Sequence, residues 1–318
     1  MAKYVFGPVP SRRLGGSLGV NNIPPKYCSY SCVYCQLGRT INLVSERRSF
    51  YPWTEIVDEV VNTVKRLGES NIDYVTFVPD GEPTLDTFLG REISEIKKRV
   101  NIKIAVLTNA SLLFREDVRN DLYEADLVSV KIDAATEDIF RRVNRPHPQI
   151  TLRNVFSGIK EFSRNYRGKL ITETMLVEGL NDDESNLRLI SRFIAELNAS
   201  KVYIAVPTRP PAESFVKKPS EETILRAYEV FSREISREKL ELLIGYEGSE
   251  FGVIGDPVQS LLNIVSVHPM RIDYAREMLR RAGLDPERVI EELIGRNEIA
   301  IVSYDDHRFI VRRIRYKY

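Results

Sequence analysis

The sequence has little cysteine and histidine, with three of each among its 318 residues, and it has no long apolar run. An odd number of cysteines excludes a framework in which every cysteine is held in a disulfide. No stretch approaches the roughly 18 consecutive apolar residues of a membrane-spanning helix, and residues 1–4 do not open an apolar signal segment. The sequence therefore predicts a cytoplasmic protein with no membrane partner.

An excess of either charge is also missing, since 46 Lys and Arg balance 45 Asp and Glu. Overall charge favours no class of partner, so any surface for nucleic acid must be a local patch. Hydrophobic residues make up 43% of the chain, which is enough for a sizeable core and excludes a largely disordered protein.

Between about Leu14 and Ile244 the chain alternates short β-branched runs with amphipathic segments of helical period. The predicted strands are 14–20, 73–78, 103–107, 127–132, 170–176, 202–206 and 240–244. The predicted helices are 56–67, 88–100, 114–123, 152–162, 184–197 and 220–235. Repeated βα units predict an α/β fold with a parallel sheet, either a partial barrel of six to seven units or a doubly wound sheet. In both, functional groups lie at the carboxyl ends of the strands.

The pattern changes after a turn-rich segment that begins near Gly248. Beyond it the sequence predicts helices at 258–265 and 272–282, a third helix capped by Asp285, and strands at 298–302 and 308–314. Three helices followed by a hairpin predict a small winged-helix-like domain at 257–318, after a barrel domain at 1–247.

The three cysteines lie within eight residues, as Cys28, Cys32 and Cys35 in a C-x3-C-x2-C pattern. A structural zinc site normally needs four protein ligands, whereas soft thiolates also suit an iron–sulfur cluster. With three thiolates, one iron of a four-iron cluster would lack a protein ligand, and an open position is a catalytic arrangement. Zinc binding and chance clustering are the alternatives.

This pattern, with Tyr34 before the last cysteine, resembles the signature of the radical S-adenosylmethionine (SAM) superfamily, and the resemblance covers roughly 6–245. It implies a partial (β/α)6 TIM-like barrel in which the cysteine loop follows the first strand. It also implies a 4Fe-4S cluster whose open iron chelates SAM. One electron then cleaves SAM to methionine and a 5′-deoxyadenosyl radical, which abstracts hydrogen from the substrate. A one-electron reductant of flavodoxin or ferredoxin type would be a partner.

The resemblance also implies SAM contacts at the strand ends. Asp80-Gly81-Glu82-Pro83 is similar to the family's Gly-Gly-Glu-Pro stretch, with Asp80 in place of the first glycine, although a plain turn is the alternative. A lysine in an apolar strand needs a carboxylate partner, so Lys131 is expected to meet SAM or, alternatively, Asp133 or Glu173. The implied SAM-binding residues are Tyr34, Asp80, Gly81, Glu82, Thr108, Asn109, Lys131, Asp133, Met175 and Val206.

Three further stretches, 7–15, 34–38 and 81–85, resemble proteins related to the wyosine-forming tRNA synthase, which builds a tricyclic base on a tRNA guanosine. That synthase carries three more N-terminal cysteines for a second cluster. This sequence has none of them, so the resemblance implies a relative rather than the synthase itself.

Basic residues near the C-terminus suggest a substrate surface, since 296–318 contain six Arg or Lys and three acidic residues. Arg312, Arg313 and Arg315, with nearby tyrosines, are candidate RNA contacts, and a solvated or protein-docking face is the alternative. Arg12 and Arg13 are candidate substrate contacts or surface ion pairs. The sequence thus predicts a radical SAM enzyme acting on a tRNA or other RNA nucleoside. An activase or modifier of a protein or peptide, and a non-catalytic iron–sulfur regulator, are the alternatives.

Overall fold

The computed structural model describes residues 3–245 and 250–313. The strands are β1 (Val5–Ser11), β2 (Gly15–Val20), β3 (Tyr27–Cys28), β4 (Asn42–Leu43), β5 (Tyr74–Phe77), β6 (Lys103–Thr108), β7 (Leu127–Lys131), β8 (Lys169–Met175), β9 (Lys201–Ala205), β10 (Leu240–Leu243), β11 (Met270–Arg271), β12 (Ile299–Tyr304) and β13 (His307–Arg312). The helices are α1 (Trp53–Leu67), α2 (Leu89–Lys97), α3 (Glu116–Tyr123), α4 (Glu137–Val143), α5 (Leu152–Asn165), α6 (Glu184–Ala195), α7 (Glu221–Ser232), α8 (Pro257–Val267), α9 (Ile272–Arg281) and α10 (Pro286–Gly295).

The main sheet has eight strands in the order β1, β2, β5, β6, β7, β8, β9 and β10. All neighbours from β2 to β10 are parallel, whereas β1 pairs with β2 in the antiparallel sense. The predicted α/β fold with a parallel sheet of the partial-barrel type is therefore confirmed. Its seven parallel strands lie at the upper end of the expected number.

Strand β1 was not predicted because Pro8 and Pro10 argue against a strand. Proline removes a backbone donor and is tolerated mainly in edge strands, and β1 is the edge of this sheet. Helix α4 was also missed, although Thr136 caps it by accepting a hydrogen bond from the Ile139 N–H. The other predicted helices and strands are present, with ends that differ by a few residues.

The two faces of the sheet differ because side chains alternate along each strand. One face is apolar and packs against the helices in the largest core, which includes Leu18, Phe77 and Val130. The inner face carries a smaller apolar cluster around Ile171 and Tyr203. Within the described residues no helix is long and apolar enough to cross a membrane.

Residues 250–313 contain α8, β11, α9, α10, β12 and β13, and the three strands form a separate sheet in the order β11, β13, β12. We refer to this part as the C-terminal module. Its apolar cluster includes Phe6 and Val9 of β1 together with Leu261 of α8. The module therefore packs on the antiparallel edge of the main sheet. The proposed boundary at 247 falls in residues 246–249, which lie outside the described residues.

A group of buried acids joins α2 to the turn after β5. Glu92 is fully buried and neither of its carboxylate oxygens has a hydrogen-bond partner among the described residues. Burial raises the pKa of Glu92 well above its usual range, and the nearby charges of Asp86 and Asp121 raise it further. Burial also raises the pKa of Asp86 to about 7, while Arg47 opposes that rise. Folding therefore favours the protonated form of these carboxyl groups.

These raised pKa values predict that stability falls as pH rises. The folded chain keeps protons that the unfolded chain releases above about pH 4. The free energy of unfolding therefore falls by roughly 1.4 kcal/mol per pH unit for each such proton as pH rises toward the folded pKa. We expect the free energy of unfolding in urea to decrease between pH 5 and pH 8, and E92Q to flatten that decrease. The control is E95Q on the same helix, because Glu95 is ion-paired with Lys98. An unchanged pH slope in E92Q would contradict this account.

Candidate active site

The cysteines lie in the loop between β2 and α1, which we call the cysteine loop (residues 21–52). Within the loop, β3 pairs in parallel with β4, which joins its first part to its later part. The Val44 N–H also donates to the Cys28 carbonyl oxygen at 3.0 Å. All three cysteines are free thiols and partly buried. The structure thus brings the three thiols to the carboxyl ends of the parallel strands.

Two of the sulfur atoms accept N–H hydrogen bonds. Cys28 Sγ accepts from the Tyr30 N–H at 3.5 Å and from Asn109 Nδ2 at 3.6 Å, and Cys32 Sγ accepts from Asn144 Nδ2 at 3.6 Å. N–H donors directed at sulfur stabilise thiolate charge and help to set the potential of iron–sulfur clusters. This donor set fits a group held by thiolates. Asn144 was not singled out from the sequence.

The thiols also influence one another electrostatically. Burial raises the pKa of Cys28, and the charges of Glu82, Cys32 and Cys35 raise it further. Burial raises the pKa of Cys32 to about 12, with Asp133 and Cys35 adding to the effect. A bound metal centre would reverse this, because coordination removes the thiol proton.

A single metal ion does not match this arrangement. Across residues 3–245 and 250–313, no group of three or more His, Cys, Asp or Glu side chains is placed to hold one ion. In a four-iron cluster each thiolate binds a different iron, so the sulfurs need not converge on one point.

The turn after β5 docks on the cysteine loop through its backbone. The Glu82 N–H donates to the Tyr27 carbonyl oxygen at 3.1 Å, and the Lys26 N–H donates to the Asp80 carbonyl oxygen at 2.8 Å. A Cβ on Gly81 would overlap the Tyr27 carbonyl oxygen and approach Ile23 Cδ1 to 2.8 Å. Glycine is thus required by the close approach of two backbones, and the stretch is more than a plain turn.

The Glu82 carboxylate is buried and joins the ends of β5 and β6. Its Oε1 accepts from Thr84 Oγ1 and Thr108 Oγ1, each at 2.6 Å, and its Oε2 accepts from the Asn109 N–H at 2.8 Å. Burial raises the pKa of Glu82, and these hydrogen bonds oppose the rise. Since Asn109 also contacts Cys28, the structure links Glu82, Thr108 and Asn109 directly to the cysteine loop.

Asp80 is buried beside Lys26, with 3.3 Å between Oδ1 and Lys26 Nζ. Its second oxygen, Oδ2, is buried without a hydrogen-bond partner among the described residues. Burial raises the pKa of Asp80, and Lys26 opposes that rise. An unpartnered buried carboxylate oxygen is costly, and an ammonium group would satisfy it.

Asp133 lies at the centre of a network under the cysteine loop. Its Oδ2 accepts from the Tyr34 hydroxyl and from Asn144 Nδ2 at 2.8 Å, and its Oδ1 accepts from the Met175 N–H at 2.8 Å. The carboxylate is therefore occupied by protein groups. Because Asn144 also donates to Cys32, Asp133 positions the loop and Tyr34 rather than presenting an open acceptor.

Lys131 meets Glu173, which was one of the alternatives to a SAM carboxylate. Lys131 Nζ and Arg13 Nη1 bind the two separate oxygens of the Glu173 carboxylate on the inner face of the sheet. Loss of hydration lowers the pKa of Lys131. Arg12 is exposed. The structure brings Arg13 to Glu173 on the inner face of the sheet.

The segment after β9 fastens the cysteine loop from the other side. Val206 is buried at its start. Further along, the Glu213 N–H donates to the Val33 carbonyl oxygen at 3.1 Å. The buried Glu213 carboxylate binds Arg39 through two hydrogen bonds of 2.9 and 2.7 Å, and it also binds Arg145. Glu213 was missed from the sequence because nothing local marks it.

The C-terminal module contacts the cysteine loop directly. Gln36, the residue after Cys35, donates through Nε2 to the Val267 carbonyl oxygen at 3.2 Å. Arg209 Nη1 donates to Gln36 Oε1 at 3.1 Å, and Arg209 Nη2 lies 3.0 Å from His268 Nε2. The end of α8 is thereby tied to the loop that carries the thiols.

The candidate RNA contacts lie at the far end of β13. Arg312 Nη1 donates to Glu298 Oε2 at 3.1 Å, and Arg313 binds the Asn297 side-chain oxygen. Arg315 lies outside the described residues. Arg312 and Arg313 are therefore on the module, at the end of β13.

A parallel sheet with a three-cysteine loop after its first parallel strand defines the radical SAM class of protein. Residues 22–189, more than half of the chain, match the Radical SAM superfamily, and the chain belongs to it. Within that class it belongs to the UPF0026 family. It is 43% identical over 310 residues to the UPF0026 protein MJ1312 of Methanocaldococcus jannaschii, covering 98% of this chain and 96% of that protein.

More distant similarities agree with this class. The dual-specificity RNA methyltransferase RlmN of Syntrophobacter fumaroxidans is 28% identical over 246 residues, covering 70% of this chain and 67% of that protein. A solved radical SAM methyltransferase from Sphaerobacter thermophilus matches with a TM-score of 0.53 and 17% identity, over 72% of this chain and 66% of that one. The second likeness shows the fold alone. The resemblance to the superfamily is thus confirmed, and the wyosine-related branch stays a prediction.

Proposed function

We propose that this chain is a radical SAM enzyme whose 4Fe-4S cluster is held by Cys28, Cys32 and Cys35 and whose substrate is a nucleoside of tRNA or another RNA. The observation that carries the cluster is the grouping of three thiols in one closed loop with N–H donors directed at two of the sulfurs. The superfamily membership of residues 22–189 supports the same assignment.

The residues beside the loop fit SAM, which carries an ammonium group and a carboxylate. Asp80 offers a buried oxygen that has no partner among the described residues, so it suits the ammonium group. The buried Glu82 carboxylate already accepts hydrogen bonds from Thr84, Thr108 and Asn109, so its part is to hold the strand ends beside Asp80. Lys131, held by Glu173, suits the carboxylate. The proposed SAM contacts and their supports are Tyr34, Asp80, Gly81, Glu82, Thr108, Asn109, Lys131, Asp133, Met175 and Val206.

The chemistry supplied at such a site is one-electron cleavage of the SAM sulfonium bond, followed by hydrogen abstraction from the substrate. The part of this chain's own residues is to hold the cysteine loop and to orient the groups around it. Asn109 and Asn144 stabilise thiolate charge, Asp133 fixes Tyr34 beneath the loop, and Glu213 fastens the loop from outside. The electron would come from a small donor of flavodoxin or ferredoxin type.

Two observations support RNA as the substrate. A relative of 28% identity is named as an RNA methyltransferase. The C-terminal module presents Arg312 and Arg313 at one end of β13, and the sequence adds Arg315. We propose that the module, with its helices followed by a hairpin, is winged-helix-like and grips phosphates, since phosphate contacts dominate affinity for nucleic acids.

Measuring SAM cleavage tests this proposal. The protein is reconstituted with iron and sulfide without oxygen, then given dithionite and SAM, and 5′-deoxyadenosine is quantified with and without unmodified total tRNA. We expect cleavage that rises when tRNA is present, and single-stranded DNA is the control for a general polyanion effect. Cleavage that ignores tRNA would contradict RNA and favour a protein or peptide substrate. Failure to bind iron would contradict the cluster.

A further inference from the structure

A cavity of about 670 Å³ lies between the cysteine loop and the C-terminal module. Its lining consists of Pro25, Ser266, Arg296, Asn297, Glu298, Arg312 and Arg313. Two of these residues, Arg312 and Arg313, are the candidate RNA contacts named above, and Pro25 is only three residues before Cys28. We call it the module cavity.

The charge of the module cavity is positive, because three arginines face one glutamate. Arg312 is paired with that glutamate, Glu298, at 3.1 Å. Arg313 instead binds the neutral side chain of Asn297, so its charge is not compensated by that contact. Arg296 is largely exposed and lies 3.6 Å from Glu292 on α10. An anionic ligand would meet at least one excess positive charge on this wall.

The end of α10 presents these residues in a defined backbone arrangement. Asn297 has a φ of 55°, which asparagine adopts more readily than most residues. The Asn297 and Glu298 N–H groups donate to the carbonyl oxygens of Ile294 and Leu293 at 2.8 and 3.0 Å. These bonds cap the last carbonyls of the helix and fix the positions of Asn297 and Glu298.

Pro25 of the cysteine loop and Ser266 of α8 also line the cavity. Lys26, next to Pro25, donates its N–H to the Asp80 carbonyl oxygen at 2.8 Å. Ser266 precedes Val267, whose carbonyl oxygen accepts from Gln36 Nε2. A ligand in the cavity would therefore contact the loop that carries the thiols at Pro25.

We propose that the module cavity binds the phosphodiester backbone of the RNA substrate and so directs a neighbouring nucleotide toward the cysteine loop. This inference rests on the proposed function for the identity of the polyanion. Guanidinium groups suit phosphate because they donate several N–H bonds in one plane. A concave arginine-lined cavity suits a narrow phosphate chain better than the broad face of an acidic protein.

Binding of fluorescein-labelled unmodified total tRNA to the reconstituted protein, followed by anisotropy across a salt series, tests this site. The variant R296Q/R313Q removes two cavity charges without leaving a buried acid unpaired. We expect its affinity to fall about 10- to 100-fold, and the slope of log affinity against log salt to decrease by about 0.7 to 0.9 for each lost phosphate contact.

The matched control is R280Q/R288Q, which removes two exposed arginines of the same module that do not line the cavity. We expect its affinity to stay within about threefold of the unaltered protein, because unoriented surface charge contributes little. Melting temperatures of both variants check folding. An equal loss in the control, or unchanged binding in R296Q/R313Q, would overturn the site. If R296Q/R313Q lost binding to flavodoxin but kept binding to tRNA, the cavity would be a site for an acidic protein, and the RNA site would be overturned.

The failure of this inference differs from the failure of the proposed function. Iron content and 5′-deoxyadenosine formation by the unaltered protein measure the cluster and SAM chemistry without any tRNA. If the unaltered protein cleaves SAM but R296Q/R313Q binds tRNA as tightly as the unaltered protein does, the cavity inference fails and the cluster and SAM chemistry stand.

Discussion

The variant C32S is expected to fold but to retain little iron and to form no 5′-deoxyadenosine. All three cysteines of the chain lie in the cysteine loop, so no other thiol can replace the missing ligand. Serine offers a hard, weakly acidic oxygen where an iron–sulfur cluster prefers a soft thiolate. The change also leaves Asn144 Nδ2 without the sulfur that accepts its hydrogen bond. Iron per chain after anaerobic reconstitution, together with product formation, measures the effect.

The control is S31A, because Ser31 is adjacent to Cys32 and its hydroxyl accepts one long hydrogen bond, from the Thr40 N–H at 3.3 Å. It alters the same loop without removing a thiol, and we expect it to keep both iron and cleavage. Circular dichroism melting establishes that each variant is folded. A C32S protein with full iron and full cleavage would show that the cluster is not where we place it.

Local sequence was sufficient for most of the fold. Period-two and helical patterns between Leu14 and Ile244 predicted each parallel strand of the sheet, because strands buried on their helix-facing side must be apolar there. Strand β1 escaped because proline usually breaks strands, and its position at a sheet edge depends on tertiary pairing. The short β3 and β4 pair was missed because strands of two residues carry no periodic signal.

The site was predictable where chemistry fixes spacing and not where the chain folds back from a distance. The cysteines can be recognised from the sequence because three thiols in eight residues are rare. Glu213 and Asn144 do not, since Arg39 and Glu213 are 174 residues apart and Asn144 and Cys32 are 112 apart. Arg13 and Glu173 are likewise 160 residues apart, so their ion pair on the inner face has no local signal in the sequence.

The variant G81A is expected to lower both stability and iron retention. Its Cβ would overlap the Tyr27 carbonyl oxygen and lie 2.8 Å from Ile23 Cδ1, and a backbone atom cannot move aside as a flexible side chain can. Separation of the two segments would break the hydrogen bond from the Glu82 N–H to Tyr27, the residue that precedes Cys28. We expect a loss of about 2–4 kcal/mol in the free energy of unfolding in urea. Iron retained against a chelator measures the displacement of Cys28.

The matched control is G295A at the end of α10, where an added Cβ would meet nothing within 4 Å. Alanine is favoured over glycine in a helix, so this control should change stability by no more than about 1 kcal/mol and leave iron unaffected. G81A could instead have the same free energy of unfolding as the unaltered protein and retain iron against the chelator for as long. In that case the close approach of Gly81 to Tyr27 does not position the first thiol. The backbone contact between the two segments would then be incidental to iron binding. If G81A loses iron faster than its lost stability explains, the turn sets the position of the cysteine loop.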